Sequence, residues 1–219
     1  MIEPEKAKGH IVFDCDGTLI SSHQAILMGL QKLMGEELGR VISLEEVNEK
    51  LDMRMDVIAR NFGLDISTQE EQKRLLNKWA LISQRTEYQY ALFEGIKDLL
   101  LELSKRQYSL YVWTGRDRKS TLSILQDLGV ISSFYDFRTA SDGIPKPHPQ
   151  GMSELVGDFN KTDVILIGDT VADQQGASNY GCHFLAAGWN PNCQFEGLTS
   201  DQLIKDPLDC LGHIENLLS

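Results

Sequence analysis

Two short runs of consecutive apolar residues stand out in a chain whose other hydrophobic positions mostly recur at helical spacing. Residues 11–13 are followed directly by Asp14, and residues 164–167 are followed by Gly168 and Asp169. A strand that is buried on both faces of a parallel sheet has this continuous apolar pattern. We therefore predict two central strands, and an acidic residue follows the end of each.

The segment between residues 22 and 90 has apolar positions at helical spacing and no strand pattern. We predict a first helix that ends at Gly39 and a second that begins at Ser43, where a glutamate three residues later fits a capping box. The apolar stripe of the second helix is interrupted near residues 52–54. A third helix begins near Ser67, and its apolar face is predicted to contain Leu75, Leu76, Trp79 and Ile82.

From Phe93 onward, the pattern alternates between helix and strand. The predicted helices are 95–105, 119–128, 172–180 and 208–218, and the predicted strands are 108–113, 137–140, 164–167 and 182–186. Alternation of this kind favours right-handed crossovers and a parallel sheet. We predict an α/β fold with a doubly wound, mostly parallel sheet formed by residues 1–20 and 92–219, and an inserted all-helical domain at residues 21–91.

The first strand ends at two carboxylates, Asp14 and Asp16, that a regular strand would place on the same face. Like charges this close resist joint ionisation unless a cation lies between them or one takes a proton. Gly17 permits the tight turn that follows. The alternative is a surface turn that is acidic by chance.

Other polar residues also follow predicted strands, and in parallel sheets the carboxyl ends of the strands form the ligand site. These residues are Thr114, Gly115, Arg116, Lys146, Asp169 and Asp173. Each has a structural alternative: Thr114 and Asp169 could cap helices, and Lys146 could be a solvated loop lysine. Their shared position at one edge of the predicted sheet favours a common site.

The formal net charge of −11 argues against nucleic acid or an anionic membrane surface as the main partner. A small anionic substrate would then need a local positive site, such as a metal ion. The first nine residues are polar, and no apolar stretch approaches the ~18 residues of a membrane span. We expect a cytoplasmic protein that does not associate with membranes.

The four cysteines have no metal-binding or disulfide spacing, so we predict buried free thiols. They are Cys15, Cys182, Cys193 and Cys210. Cys15 lies between the two aspartates and is a conceivable nucleophile, but no nearby histidine in the sequence supports its activation.

Four segments together resemble the haloacid dehalogenase-like hydrolase superfamily, in its magnesium-dependent phosphatase branch. They are residues 13–19, 113–116, 146–149 and 167–173, and the resemblance extends over about residues 10–190. The helical insertion at 21–91 looks like the cap domain of the phosphoglycolate phosphatase and β-phosphoglucomutase group. Residues 20–22 depart from the acid and serine with which many capped relatives continue the first motif.

The resemblance implies a role for each matching residue. Asp14 would be the nucleophile that forms an aspartyl-phosphate, and Asp16 would protonate the leaving group and then deprotonate water. Mg²⁺ would be held by the Asp14 side chain, the Asp16 carbonyl and Asp169, with Asp173 assisting through water or an outer contact. Thr114 and the Gly115 amide would bind phosphoryl oxygens. Lys146 would neutralise charge and hold Asp14.

The resulting prediction is a Mg²⁺-dependent phosphomonoester hydrolase acting on a small phosphorylated metabolite, with phosphoglycolate, a sugar phosphate or a nucleotide as candidates. A phosphomutase and a non-catalytic binding protein are the alternatives. Arg54 is the candidate for contact with an anionic group of the substrate, against the alternative of an exposed helix arginine. Arg116 and Arg118 are either substrate contacts or surface charges, and His148 is expected to be a loop residue.

Overall fold

A computed structural model describes residues 2–52, 55–83, 85, 90–195 and 197–218. The chain divides into two compact units, one formed by Met1–Ser21 with Leu92–Ser219 and the other by Ser22–Ala91. The first unit contains the parallel sheet and the second contains helices. No helix among these residues is long and apolar enough to cross a membrane.

The first unit is built on a six-stranded parallel sheet. In chain order the strands are β1 (His10–Phe13), β2 (Ile20–Ser21), β3 (Ala91–Leu92), β4 (Ser109–Trp113), β5 (Asp136–Arg138), β6 (Val164–Gly168), β7 (His183–Ala187) and β8 (Leu203–Ile204). The large sheet has the order β5-β4-β1-β6-β7-β8, and β2 pairs with β3 in a separate two-stranded sheet. The predicted α/β class with a doubly wound, mostly parallel sheet is confirmed.

Strand β1 lies at the centre of the sheet, with β4 on one side and β6 on the other. His10 is in register with Ser109 of β4 and with Val164 of β6. All four residues of β1 are buried, as the continuous apolar pattern predicts for a strand covered on both faces. The carboxyl ends of β1, β4 and β6 therefore lie side by side, and this edge positions the candidate site.

In the part of the first unit that the structure describes, five α-helices pack around this sheet. They are α5 (Ile96–Lys105), α6 (Arg118–Asp127), α7 (Gln150–Val156), α8 (Val171–Tyr180) and α9 (Cys210–Leu217). Two glycines allow α7 and α8 to approach Trp113 closely: a Cβ added at Gly151 would lie 2.7 Å from the Trp113 ring, and one added at Gly176 would lie 2.8 Å from it. Trp113, at the end of β4, is thus enclosed by both helices.

Among its described residues, the second unit contains four α-helices around an apolar core of its own. They are α1 (Ser22–Leu38), α2 (Leu44–Glu49), α3 (Met55–Asn61) and α4 (Gln69–Ser83). Ser43 caps α2 by accepting a hydrogen bond from the backbone N–H of Glu46, and Thr68 makes reciprocal bonds with Glu71 at the start of α4. The α1–α4 pair is further joined by Glu37, which contacts Arg74 and Lys78.

Three details differ from the sequence predictions. Helix α7 follows three prolines at alternate positions, a context that hides a helix from pattern analysis, and β8 has only two residues. Leu76, which was predicted on the apolar face of its helix, is 51% exposed, whereas Leu75 beside it is buried. The predicted interruption of the second helix, by contrast, agrees with the structure, in which α2 ends at Glu49 and α3 begins at Met55.

Candidate active site

Asp14 follows β1 directly and is buried at the edge of the sheet. Its backbone N–H donates to the carbonyl of Ile167 in β6, 2.8 Å away, so the pairing of the two strands fixes its position. Lys146 donates to Asp14 Oδ1 across 2.6 Å and to Asp173 Oδ1 across 2.6 Å. A lysine whose side chain is 9% exposed thus joins two buried carboxylates, and its ammonium group lies 5.3 Å from the ring centroid of Trp113.

Asp173 is fixed at the start of α8 by a capping box with Thr170. Its Oδ2 accepts hydrogen bonds from the backbone N–H and the hydroxyl of Thr170, while Oδ1 accepts from Lys146. Gly168 makes room for this side chain, because a Cβ at that position would lie 2.4 Å from the Cγ of Asp173. Both carboxylate oxygens of Asp173 therefore hold other residues in place.

Asp169 is held by two side chains from distant parts of the sequence. The amide of Asn190 donates to its Oδ2 across 2.8 Å, and the hydroxyl of Thr18 donates to its Oδ1 across 3.3 Å. Gly17 has a φ of +87°, and a Cβ there would lie 2.1 Å from Asp169 Oδ2. The turn after β1 therefore requires glycine both for its backbone conformation and for the space that Asp169 occupies.

Asp14, Asp169 and Asp173 form a cluster in which one oxygen from each lies within 4.8 Å of the others. Burial raises the pKa of Asp14 to about 8 against the opposing effect of Lys146, and Asp173 adds to the rise. Burial and the charge of Asp173 raise the pKa of Asp169 to about 6. Burial disfavours the charge of Lys146, but the two aspartates raise its pKa above the ordinary value. Three carboxylates and one lysine leave negative charge that a bound cation would balance.

This donor set fits Mg²⁺, which prefers carboxylate oxygens and keeps part of its water shell. Asp14 and Asp169 are the carboxylates best suited as direct ligands. Each oxygen of Asp169 accepts one bond from a neutral donor, whereas Asp173 Oδ1 is bound by the Lys146 ammonium and Asp173 Oδ2 accepts two hydrogen bonds. The glycine at position 17 leaves the space that the Asp169 carboxylate and the Asn190 amide occupy. The geometry of the three aspartates therefore fits the predicted metal site.

Asp16 is not one of the three clustered acids and pairs with Arg116. The Nε of Arg116 donates to Asp16 Oδ2 across 2.9 Å, and Nη2 donates to Oδ1. The Asp16 side chain is 40% exposed, and that of Arg116 is 19% exposed. The two acids of the first motif thus have different counter-ions: Lys146 binds Asp14, and Arg116 binds Asp16.

Thr114 and Gly115 lie in the loop after β4, next to the end of β1. Thr114 is buried; its backbone N–H donates to the carbonyl of Arg138, and its hydroxyl oxygen accepts from the backbone N–H of Arg116 across 3.1 Å. The hydroxyl hydrogen of Thr114 therefore remains available to a ligand. A Cβ at Gly115 would meet no atom within 4 Å, so space is open above its backbone.

The structure brings most of the predicted site residues to one edge of the sheet, as the parallel topology requires. Arg54 lies outside the described residues. Two features of the site have no signal in the sequence pattern: the position of Asn190 after β7, and the contact of Arg116 with Asp16. Cys15 is a free, buried thiol whose pKa is raised by burial, which opposes a role as nucleophile.

Comparisons with known proteins identify the family. A family described as haloacid dehalogenase-like hydrolase matches residues 11–187. Over 220 residues the chain is 25% identical to the phosphoglycolate phosphatase of Synechococcus elongatus, covering 95% of this chain and 98% of that protein. It is 22% identical to the pyrophosphatase PpaX of Bacillus mycoides, covering 82% and 83% of the two chains.

A solved structure shows the same fold. The hydrolase YfnB from Bacillus subtilis, determined with bound magnesium, superposes with a TM-score of 0.59 and 21% identity, and the match covers 96% of this chain and 100% of that one. The family match alone spans more than half of the 219 residues. The predicted assignment to a hydrolase class with phosphatase relatives is therefore confirmed, and the chain belongs to the haloacid dehalogenase-like hydrolase family.

Proposed function

We propose that the protein is a Mg²⁺-dependent phosphomonoester hydrolase that acts on a small phosphorylated metabolite through an aspartyl-phosphate intermediate. One observation carries the proposal: Lys146 bridges buried Asp14 and Asp173, with Asp169 in the same cluster. This arrangement holds a carboxylate nucleophile in one orientation beside a place for a cation. It is the chemistry that phosphoryl transfer needs, since positioning and charge neutralisation supply most of the catalysis.

Asp14 and Asp169 are the residues that would hold the metal ion, with the Asp16 carbonyl as a further ligand and Asp173 supporting them through Lys146. Bound Mg²⁺ would neutralise charge on the phosphoryl oxygens. Asp14 is already oriented by its backbone bond to β6 and by Lys146. It therefore begins the reaction from a fixed position.

The reaction has two steps. An oxygen of Asp14 forms a bond to phosphorus while the bond to the leaving oxygen breaks, and Asp16 gives its proton to that oxygen. A water molecule then attacks the phosphorus of the aspartyl-phosphate. Asp16 takes a proton from this water, the Asp14–phosphorus bond breaks and phosphate is released.

The transferring phosphoryl group would be bound by groups around Asp14. The free hydroxyl hydrogen of Thr114 and the backbone N–H of Gly115 would donate to its oxygens, and the open space above Gly115 suits close approach of a ligand. Lys146 supplies positive charge beside the nucleophile. Removal of one such donor typically costs two to three powers of ten in rate.

The substrate class follows from the relatives and from the composition of the site. Relatives named as a phosphoglycolate phosphatase and a pyrophosphatase both act on small phosphorylated compounds, so we propose phosphoglycolate, a sugar phosphate or a nucleotide as candidates. We further propose that the helical unit Ser22–Ala91 is the inserted cap that selects among them. Arg54 stays a candidate for contact with an anionic group of the substrate.

The test is phosphate release from an aryl phosphate and from a panel of phosphorylated metabolites, with and without Mg²⁺. Asp14→Asn is expected to lower the rate by more than about a thousandfold, because it removes the nucleophile. Asp163→Asn is the matched control, since this exposed aspartate lies just before β6, at the opposite end of the strand from Asp169. Release of phosphate that is independent of Mg²⁺ and equal in the wild type and Asp14→Asn would contradict the proposal.

A further inference from the structure

The contact between Arg116 and Asp16 has no part in the function proposed above. We propose that Arg116 is a positioning residue that holds the carboxyl group of Asp16 in the orientation needed for its two proton transfers. This inference rests on the proposed phosphatase function. It is carried by the two-point contact between the guanidinium and the carboxylate, and by the way the fold fixes both residues.

The backbone of Arg116 is held on both sides. Its N–H donates to the hydroxyl oxygen of Thr114 across 3.1 Å, and its carbonyl accepts from the N–H of Ala140 across 3.0 Å. Strand β4, which precedes the loop, is in register with β1, with Val112 opposite Phe13. The parallel pairing therefore brings residue 116 beside residue 16 although they lie 100 positions apart in the sequence.

The geometry of the contact restricts the rotation of Asp16. Each carboxylate oxygen is bound by a different nitrogen of the same planar guanidinium, and such a fork fixes the plane of the carboxyl group as well as its distance. The Asp16 side chain is 40% exposed and lies two residues from another acid. Without Arg116, it would be free to turn towards solvent. A lysine at this position would place one ammonium group near the carboxylate and would not fix the plane of the carboxyl group.

Arginine suits this position because it does not exchange protons with Asp16. A guanidinium stays charged throughout, so the proton that Asp16 gives to the leaving oxygen, and the proton that it later takes from water, pass only through the carboxyl group. A protonated carboxyl group carries its hydrogen on one oxygen. The guanidinium can then keep its bond to the other oxygen while the hydrogen faces the leaving group.

If Arg116 positions Asp16, the loss of rate in an Arg116 variant depends on the leaving group of the substrate. An alkyl phosphate needs a proton at the leaving oxygen in the first step, whereas p-nitrophenyl phosphate loses a stable anion and needs little assistance. The experiment therefore measures single-turnover release of the alcohol from an alkyl phosphate and of nitrophenolate from p-nitrophenyl phosphate. We expect Arg116→Met to slow the first reaction by about 10- to 100-fold and the second by less than about threefold.

A double-mutant cycle separates positioning of Asp16 from direct binding of the substrate. In the Asp16→Asn background, Arg116→Met is expected to have almost no further effect on the alkyl phosphate reaction. Arg116→Lys keeps the charge but not the fork, so its loss is expected to fall between those of the wild type and Arg116→Met. Arg118→Met is the matched control: its guanidinium pairs with Asp142 and the carbonyl of Phe137, and we expect wild-type rates.

Each other outcome overturns the inference. Equal losses on both substrates, or a full effect of Arg116→Met that persists in Asp16→Asn with a raised KM, would mean that Arg116 binds the substrate itself. An Arg116→Met enzyme with wild-type rates on both substrates would remove any role for the contact while leaving the phosphatase function intact. A wild-type protein that releases no phosphate from either compound would overturn the proposed function, and this inference with it.

Discussion

Gly17 occupies a position that no other residue type fits. Its φ of +87° is costly for any side chain, and a Cβ would lie 2.1 Å from Asp169 Oδ2 and 2.8 Å from Asn190 Nδ2. This one residue therefore links the turn after β1 to the placement of an acid 152 positions later in the sequence. The candidate metal site therefore depends on glycine at position 17 as well as on the carboxylates.

We expect Gly17→Ala to lower the free energy of unfolding by roughly 1–3 kcal/mol and to weaken Mg²⁺ binding, because Asp169 must move or the backbone must change conformation. Urea denaturation and calorimetric titration with Mg²⁺ measure the two effects. Gly39→Ala is the control: it also has a positive φ, +63°, but its Cβ would meet nothing within 4 Å. A Gly17→Ala protein that binds Mg²⁺ as well as Gly39→Ala would contradict this account.

His10 lies at the amino end of β1, far along the strand from the acids. It is buried, its Nδ1 is 3.1 Å from the Tyr111 hydroxyl, and its ring stacks on Phe159 with 4.1 Å between centroids. Burial lowers the pKa of His10 below its ordinary value of 6.5, against the opposing charges of Asp163 and Glu5. The folded protein thus favours the neutral imidazole.

This shift predicts a loss of stability in mild acid. As the pH falls below about 6.5, the unfolded chain takes up the proton first, so the contribution of neutral His10 is present above that pH and is lost below it. The free energy of unfolding, measured by urea titration between pH 7.5 and 5.5, is expected to fall less in His10→Phe than in the wild type. His213→Gln, on α9, is the control, and an equal pH dependence in wild type and His10→Phe would refute the prediction.

At the scale of elements, the helical unit combines an apolar core with a local charge network between α1 and α4. Glu37 accepts from Arg74 Nη2 across 2.6 Å and from Lys78 Nζ across 2.8 Å, and its own side chain is only 7% exposed. Arg74 and, to a smaller extent, Lys78 lower the pKa of Glu37 to about 2, although burial opposes the shift. The network is therefore complete only while Glu37 is ionised.

We expect Glu37→Gln to destabilise the protein by about 1 kcal/mol near pH 7, a value reduced from that of a buried pair because the cations are partly exposed. Since the folded pKa lies below the ordinary 4.5, this contribution is lost as the pH falls from about 4.5 towards 2. Denaturant titrations of both proteins at pH 7 and pH 3 measure the difference. Glu49→Gln, on the exposed side of α2, serves as the control and is expected to be nearly neutral.

Elements with a strong local pattern were predictable from the sequence, and elements defined by their surroundings were not. The apolar runs of β1 and β6 indicate buried strands by themselves. Helix α7 escaped prediction because Pro145, Pro147 and Pro149 precede it and Gly151 lies in its first turn, where the close approach to Trp113 requires that glycine. Packing against β4 and α8 determines the position of α7 in the fold, and a local sequence pattern carries no information about this packing.

The same distinction applies to the site in the whole molecule. Topology alone predicts that residues following parallel strands meet at one edge of the sheet. It therefore predicts a shared site for the four aspartates, Thr114 and Lys146. It does not say which cation faces which acid. The pairs Lys146–Asp14 and Arg116–Asp16 join residues 132 and 100 positions apart, so they depend on loop conformations that the sequence pattern leaves open.

The excess negative charge of the folded site predicts that Mg²⁺ stabilises the whole protein. An ion that binds the native state alone adds about 2.7 kcal/mol at 100 times its Kd, which corresponds to a rise in Tm of roughly 5–10 °C for a chain of this size. Differential scanning calorimetry with MgCl₂, against NaCl of equal ionic strength, separates binding from general screening of the −11 net charge.

Asp169→Asn is expected to abolish this rise, because it removes the carboxylate that Gly17, Thr18 and Asn190 hold in the cluster. Asp163→Asn, which lies before β6 at the opposite end of that strand, is expected to keep the full shift. An equal rise in Tm for the wild type and Asp169→Asn would mean that the ion binds elsewhere. Since Tm is measured without substrate, the result assigns the metal site independently of which phosphorylated compound the enzyme hydrolyses.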